Sequence, residues 1–439
     1  MDTENIREKE EKIGYRQILT QKEYCKLIVA NLINRFGDSV DALAFTWLVY
    51  QVTGSASWSA IIYALNMLPT ILLQPFAGAA VERRSKKRLM ILADILRGVV
   101  VVTLAVSYLT GIVNPWIMAA FTLIISSVEA FCSPASTAII PKLLERKYFE
   151  FGTSLNSVAS RVMELIGTAA AGIIIGVAGI GAAILIDATT FFISALIKTF
   201  LHVEEKLEEK SAEAGTGGSR YLQDLKEGFT YVKSKQIIMN FCIMAFLVNA
   251  MMVPINSFQS PLVMDVLGQG SGLLSAMGVA LVIGMGIATV IFPYISQKLR
   301  VRTIVCGNGI CLGFFVAMMT LGSHFTENTV LVYAVTALCS FGLGFSVDLL
   351  NCAVSVQFMK CVEENYLARA SALLGAGATA AMPLTSFFLS ILVKYISVKE
   401  IIVAGGAICA MIFIVIWLKK VQMEVEEQDE TKNSIEEAY

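Results

Sequence analysis

The stretch Gly78-Ala-Ala-Val-Glu-Arg-Arg-Ser-Lys-Lys-Arg88 lies between two long hydrophobic segments and places five basic residues within six positions. Similar basic clusters occupy alternate gaps between hydrophobic segments along the whole chain, and together they hold 29 of its 34 Lys and Arg residues. The other gaps hold only Lys394 and Lys399. Basic residues retained on one side of successive segments indicate a polytopic membrane protein, here with both termini in the cytoplasm.

The composition supports membrane insertion, because 56% of the 439 residues are hydrophobic and only 16% are charged. Most hydrophobic segments reach the roughly 20 apolar residues that span a bilayer core. A soluble helix would keep a polar stripe, whereas Ile166–Ile186 and Ile401–Trp417 are apolar on all sides. The pattern predicts twelve spans, at residues 25–50, 57–81, 88–110, 115–139, 153–177, 181–201, 236–264, 271–296, 303–322, 329–356, 367–393 and 400–418.

A polar break at residues 202–235 divides the spans six and six. It contains Gly215-Thr-Gly-Gly-Ser219, a composition typical of flexible linkers. Residues 219–236 predict an amphipathic helix on the membrane surface. We therefore predict an all-α membrane protein with twelve transmembrane helices in two six-helix halves. The predicted regions are a cytoplasmic N-terminal segment (1–24), two bundles (25–201 and 236–418), the central loop (202–235) and an acidic cytoplasmic tail (419–439).

The chain resembles the major facilitator superfamily. The signature of that family between spans two and three is roughly Gly-x-x-x-Asp-Arg-x-Gly-Arg-Arg, and Gly78, Arg83 and the basic end match it. Glu82 replaces the Asp, and Ser85 replaces the second Gly. The resemblance implies the major facilitator fold and transport by alternating access.

Within that superfamily the chain looks most like the macrolide-efflux and enterobactin-exporter branch. The strings that carry this resemblance are Asn34-Arg-Phe-Gly-Asp38, Trp47-Leu-Val-Tyr-Gln-Val-Thr-Gly-Ser55, Cys132-Ser-Pro-Ala135 and Asp224-Leu-Lys-Glu-Gly228. A Gly-Pro pair expected on span five of proton antiporters is missing, although Gly167 and Gly172 keep small residues there.

Ionisable residues near the middle of the N-terminal spans are the first candidates for a transport site. Charged groups inside a bilayer are costly and usually face a water-filled cavity or a partner. We expect Arg161 to pair with Glu129, Glu164 or Asp38, and Asp38 or Glu164 to carry a proton; an internal Arg35–Asp38 structural pair is the alternative for span one. The predicted proton-coupling and cavity residues are Asn34, Arg35, Asp38, Asp41, Glu129, Arg161, Glu164, Asn249 and Asn256.

Methionines and phenylalanines of the second half offer an apolar cavity wall, with ordinary packing as the alternative reading. These residues are Met244, Phe246, Met251, Met252, Phe258 and Met382. An acidic wall facing an apolar wall would suit an amphiphilic substrate that carries positive charge.

The basic loop after span two predicts a cytoplasmic gate, which the family resemblance implies holds the two halves together when the site faces outward. A topology signal with a surface ion pair is the alternative, because such pairs are weak. The predicted gate residues are Gly78, Glu82, Arg83, Lys87, Asp94 and Arg97.

The resemblance implies export of small amphiphilic compounds, macrolide-like or multidrug-like, by proton antiport across the bacterial inner membrane. A dedicated siderophore or peptide exporter is the nearest alternative, followed by a lipid transporter and a non-transporting membrane sensor. Enzymatic activity is not expected, and neither is ATP hydrolysis, since the chain contains no GxxxxGK[ST] run.

Partners are expected to be the substrate, protons and the lipid bilayer. The net charge of −1 argues against nucleic acid. Nine Cys residues without a CxxC pair predict buried thiols rather than a metal site, so no metal or cofactor is expected. Because one chain holds both halves, a functional monomer is predicted.

Overall fold

The computed structural model describes residues 15–82, 84–145, 148–203, 230, 233–362 and 367–423. The long helices run antiparallel, as the short connections require. They are α1 (Lys22–Thr53), α2 (Ala56–Glu82), α3 (Lys86–Leu109), α4 (Pro115–Leu143), α5 (Phe149–Thr199), α6 (Gln236–Ser257), α7 (Ser271–Ser296), α8 (Val301–Met318), α9 (Thr329–Cys361), α10 (Leu367–Leu392) and α11 (Val398–Leu418).

Helix α5 is long enough to cross a bilayer twice, since 51 residues at about 1.5 Å each span about 76 Å. Gly179 interrupts it, with φ 82° and ψ 170°, a conformation that side-chain-bearing residues rarely adopt. The break separates a first segment, before Gly179, from a second segment after it. These segments correspond to the predicted spans 153–177 and 181–201.

Twelve membrane crossings follow from the described helices. Nine of the described helices are long and apolar enough to span a membrane. One of the nine is α5, whose 45-residue apolar stretch accounts for two crossings. Helix α1 falls outside this set of nine because it carries several charged residues. Helix α10 falls outside it because its apolar part, Gly377–Leu392, is too short to meet the same length criterion. The predicted fold class is confirmed.

Local sequence signals fix where several helices begin. Ser85 accepts a hydrogen bond from the main-chain N–H of Arg88 at the start of α3. Asn114 caps α4 ahead of Pro115, and Ser397 forms a reciprocal capping box with Glu400 at the start of α11. Such caps satisfy N–H groups that a helix terminus would otherwise leave unpaired.

The predicted spans agree with the helices to within about five residues, except at the end of span seven. Span seven, predicted to reach residue 264, ends as α6 at Ser257; the chain continues through the short helix Gln259–Pro261 and a π-helical turn, Leu262–Val266. Span nine, predicted at 303–322, ends as α8 at Met318 and tightens into the 3₁₀ turn Met319–His324. Hydrophobicity alone does not distinguish these tighter or wider turns from an α-helix.

We call the face where Lys22, Lys86, Lys142 and Lys235 lie the basic face, and the other end of the bundle the opposite face. In the N-terminal half, α1 and α3 pack against α5, and α2 packs against α4. In the C-terminal half, α7 packs against α9, and α8 packs against α11. The halves meet where α2 contacts α10 and where α5 contacts α7. Most of the predicted central-loop helix and the tail from residue 424 onward lie outside the described residues, so the predicted domain limits stay predictions.

Candidate functional site

Arg97, near the middle of α3, is the centre of a polar cluster in the N-terminal half. Its Nη2 donates to Asp38 Oδ1 at 2.9 Å, and its Nη1 donates to Glu129 Oε2 at 2.8 Å. The guanidinium also lies 4.1 Å from the centroid of the Phe191 ring. Two carboxylates and an aromatic face stabilise a cation that would be costly alone at this depth. The cluster therefore ties together α1, α3, α4 and the second segment of α5.

Closer to the basic face, Asp94 and Lys198 form a fully buried ion pair. Lys198 Nζ lies 2.6 Å from Asp94 Oδ2, and the two side chains are 2% and 0% exposed. Ser194 donates to the same carboxylate at 2.8 Å, and Asn34 donates to its other oxygen at 3.2 Å. This pair joins α3 to the second segment of α5.

A second charged group consists of one carboxylate between two guanidiniums. Glu164 Oε2 accepts from Arg35 Nη2 at 2.6 Å and from Arg161 Nη1 at 3.1 Å. The predicted pairing of Arg161 is confirmed, with Glu164 as the partner. The alternative Arg35–Asp38 pair is not the one formed, because Arg35 binds Glu164 on α5 while Asp38 binds Arg97 on α3.

Two adjacent cavities lie between the halves, with volumes of about 350 and about 360 Å³. Tyr63 and Asn256 line both of them. The first also contacts Glu164, and the second contacts Asp38, Asp41 and Arg97. The two charged groups of the N-terminal half therefore border the same space between the halves.

The opposite wall of the first cavity is mostly apolar. Its polar side chains are Asn256, Gln259 and Ser340. Asn249, also expected in the cavity, donates to the main-chain oxygen of Ala245 and lies outside the lining of these two cavities. Met244 and Phe258 are fully buried, so they pack rather than line this cavity. The side chains that form the apolar wall are Ile255, Leu274, Met277, Leu281, Val282 and Met319.

Polar contacts close the space between the halves toward the opposite face. Tyr50 on α1 donates its hydroxyl to Asp265, which lies in the π-helical turn. Three serine hydroxyls donate across the halves to main-chain oxygens. These bonds are Ser57 to Ser390 at 2.7 Å, Ser386 to Ala60 at 2.6 Å and Ser275 to Thr168 at 2.8 Å.

The predicted gate residues separate into two groups. Lys87 donates to the main-chain oxygens of Thr199 and Leu201 at 2.7 and 2.8 Å, within its own half. Asp94 and Arg97 belong to the buried pair and the polar cluster described above, because they lie two and three turns inside α3. Arg83, the surroundings of Gly78 and the side chain of Glu82 lie outside what the structure describes. The gate therefore stays a prediction.

Asp187 and Lys198, the only ionisable residues of predicted span six, were not among the predicted site residues. Both are buried, at 1% and 2% exposure. The signal was present, since an ionisable residue within an apolar span is expected to have a function or a partner. Tyr63 and Thr46, which line both cavities, gave no comparable signal.

Comparison with known sequences places the chain among membrane transporters. The family model described as Major Facilitator Superfamily matches residues 27–361. The MFS-type transporter YkuC of Bacillus subtilis strain 168 is 23% identical over 408 residues, which cover 90% of this chain and 92% of that protein.

Two further relatives carry names that refer to efflux. The multidrug efflux pump Tap of Mycobacterium tuberculosis strain H37Rv is 26% identical over 244 residues, 54% of this chain and 57% of Tap. The macrolide efflux protein A of Streptococcus pyogenes is 20% identical over 375 residues, 85% of this chain and 90% of that protein.

Solved structures share the architecture at low sequence identity. The nucleoside transporter NupG has a TM-score of 0.74 at 12% identity, covering 90% of this chain and 99% of that one. A bacterial homologue of the iron transporter ferroportin, in an inward-facing state, has a TM-score of 0.67 at 13% identity, covering 90% and 98%. At these identities the likeness establishes the fold alone.

Proposed function

Because the chain belongs to the major facilitator superfamily, a family of membrane transporters, we propose that it exports small amphiphilic compounds in exchange for protons. The observation that carries the proposal is the space between the halves. One wall holds carboxylates linked to Arg97, and the other wall is apolar and contains Met277 and Met319. Such a surface fits a compound that has an apolar body and a positively charged group.

Alternating access is supported by the contacts that join the halves toward the opposite face. We place the basic face in the cytoplasm, as the basic clusters indicate, so that the contacts joining the halves lie toward the outer side of the membrane. A substrate would enter from the cytoplasm, and the two halves would then rock around the cavity to release it outside. Export, rather than uptake, is supported by the two efflux relatives.

Proton exchange is supported by the charges around Arg97. One guanidinium bonds to both Asp38 and Glu129, so protonating either carboxylate would remove one ion pair and free that Arg97 nitrogen. Arg97 can then reorient within the space that it lines. A substrate cation near Asp38 would compete with the proton for the same negative charge, which is the basic requirement of antiport.

The group formed by Arg35, Glu164 and Arg161 favours a second candidate function. It has two cations for one carboxylate, and the side chains of Arg35 and Arg161 are 41% and 63% exposed. A dedicated exporter of an anionic metabolite, such as a siderophore, could use these N–H groups to bind a carboxylate. A panel of unrelated drugs distinguishes the two functions, since a dedicated exporter would ignore most of them.

The test is drug-induced proton movement in inverted membrane vesicles that contain wild type or Asp38→Asn. We expect erythromycin or tetraphenylphosphonium to release protons from energised wild-type vesicles, and the variant to lose this response. Asp348→Asn is the control, because Asp348 bonds to Thr289 in the other half, away from Arg97. No response from folded wild type to any member of the panel would refute drug export and favour the dedicated exporter.

A further inference from the structure

Asp187 is a buried carboxylate in the second segment of α5. Its side chain is 1% exposed, and its Oδ1 atom has no hydrogen-bond partner among the described residues. An ionised carboxylate buried without a paired cation costs several kcal/mol. Such a group is expected to be neutral or to bind a cation.

The surroundings of Asp187 are acidic. The charged groups that face it are Asp41 and Asp38 on α1 and Arg97 on α3. The Thr190 hydroxyl, which donates to the main-chain oxygen of Asp187 at 2.7 Å, is its neutral hydrogen-bonding neighbour. Both terminal nitrogens of Arg97 are already bonded, to Asp38 and to Glu129. Arg97 therefore faces four carboxylates and bonds to two of them.

Asp41 connects Asp187 to the cavity. It borders the second cavity, and its Oδ1 atom is also buried without a hydrogen-bond partner in the described part of the chain. Gly37, one turn earlier on α1, leaves the space that Asp187 occupies. A Cβ atom at Gly37 would lie 2.6 Å from Asp187 Oδ1 and 2.0 Å from Thr190 Oγ1.

We propose that Asp187 is the residue that holds the transported proton, and that Asp41 passes this proton between Asp187 and the cavity. The inference rests on the proposed proton exchange and names the group that carries it. On loading, a hydronium ion in the cavity gives its proton to Asp41, and an O–H bond then forms on Asp187 as the one on Asp41 breaks. On release, Arg97 moves from Asp38 toward Asp187, and the proton returns to water through Asp41. The site gains one positive charge on loading and loses it on release.

A direct test measures the proton and not the transport. Infrared spectra of the purified full-length protein in nanodiscs at pH 7 should contain the C=O stretching band of a protonated carboxylic acid. Asp187→Asn should lose this band, and the control Asp348→Asn should keep it. Absence of the band from wild type, or its persistence in Asp187→Asn, would overturn the inference whatever the protein transports.

A second variant guards against misfolding of Asp187→Asn. Asp41→Asn leaves Asp187 in place, so the band should remain. Exchange of this proton for deuterium should become at least about tenfold slower, because the path through Asp41 is lost. Unchanged exchange in Asp41→Asn would overturn the role of Asp41.

Transport in proteoliposomes separates failure of the inference from failure of the proposed function. Asp187→Asn should keep downhill exchange of tetraphenylphosphonium but lose the proton movement that accompanies it in wild type. Wild type that moves tetraphenylphosphonium without protons would refute proton antiport, and with it the transport role of Asp187. Wild type and Asp187→Asn that couple equally would overturn the inference alone, as would coupling that requires sodium instead of a pH gradient.

Discussion

Replacing Lys198 by Met is the sharpest test of how this bundle tolerates buried charge. The change removes the cation 2.6 Å from Asp94 Oδ2 while keeping an unbranched apolar side chain of similar length. The Asp94 carboxylate would remain 0% exposed, with only the neutral donors Ser194 and Asn34. Two neutral hydrogen bonds replace the solvation of a full charge poorly.

The loss in free energy of unfolding caused by Lys198→Met follows from either of two routes. Removing one partner of a buried ion pair costs about 3–5 kcal/mol. The protein can instead protonate the Asp94 carboxylate that has lost its cation. Counted from the ordinary pKa of an aspartate, protonation at pH 7 costs about 4 kcal/mol, at about 1.36 kcal/mol per pH unit. Since neutralisation is easier in acid, the loss should shrink to about 2 kcal/mol at pH 5.5.

The assay is unfolding in mixed micelles on titration with SDS, followed by tryptophan fluorescence. Lys26→Met is the matched control, because Lys26 and Glu23 form a pair at 2.8 Å that is about one-third exposed. Such pairs contribute at most about 1 kcal/mol. Hydrogen bonds from Lys26 and from the main-chain N–H of His202 lower the pKa of Glu23, so the control pair stays ionised at both pH values.

Adding Asp94→Asn to Lys198→Met should restore most of the lost stability, because the uncompensated charge is gone. A loss of stability in Lys198→Met no larger than that in Lys26→Met would contradict an uncompensated charge at Asp94. A further loss on adding Asp94→Asn would contradict it as well.

Three other variants test particular contacts. Gly284→Ala should destabilise the fold by about 1–3 kcal/mol, because its Cβ would lie 2.2 Å from the main-chain oxygen of Phe341, whereas Gly286→Ala, with nothing within 4 Å, should be neutral in the same SDS titration. Tyr50→Phe removes the hydroxyl bond to Asp265, so thiol labelling from the opposite face, at a cysteine introduced at Ser57, should accelerate about tenfold or more; an unchanged rate contradicts this. Glu164→Gln frees the guanidiniums of Arg35 and Arg161, so it should tighten binding of the anion taurocholate about tenfold, measured by tryptophan fluorescence. Equal or weaker binding would contradict an anion site at these two arginines.

The crossings were predictable because a span is a local property of composition and length. Span eight, predicted at 271–296, is α7 with the same limits. Asp38, Glu129 and Arg161 were expected near one plane from their places in the predicted spans. Which charged residues form ion pairs was harder to predict, because pairing depends on how each helix is rotated and on which helices flank it.

The partners of Arg97 could not be predicted from the sequence. Its position near a basic loop indicated a gate, but α3 carries it about 16 Å beyond Lys86, at 1.5 Å per residue, to Asp38 and Glu129. The predicted pair of Arg161 was narrowed to three carboxylates and not to one, because only the packing of α1 against α5 brings Arg35 to the same Glu164. Asp187 belongs to no motif, and its only signal in the sequence is that it is an ionisable residue within an apolar span.

The serine contacts that join the halves set an energy scale for the whole cycle. A neutral hydrogen bond that is exchanged for water on opening contributes about 0.5–1.5 kcal/mol, and a bond to a carboxylate contributes about 1.5–3 kcal/mol. Three serine bonds and the Tyr50–Asp265 bond therefore amount to about 3–8 kcal/mol. Reversing a two-state population from 1:99 to 99:1 takes about 5.5 kcal/mol. The four bonds between the halves therefore amount to about the free energy that differential binding of one ligand must supply to reverse the population, so a single binding event is enough to break them.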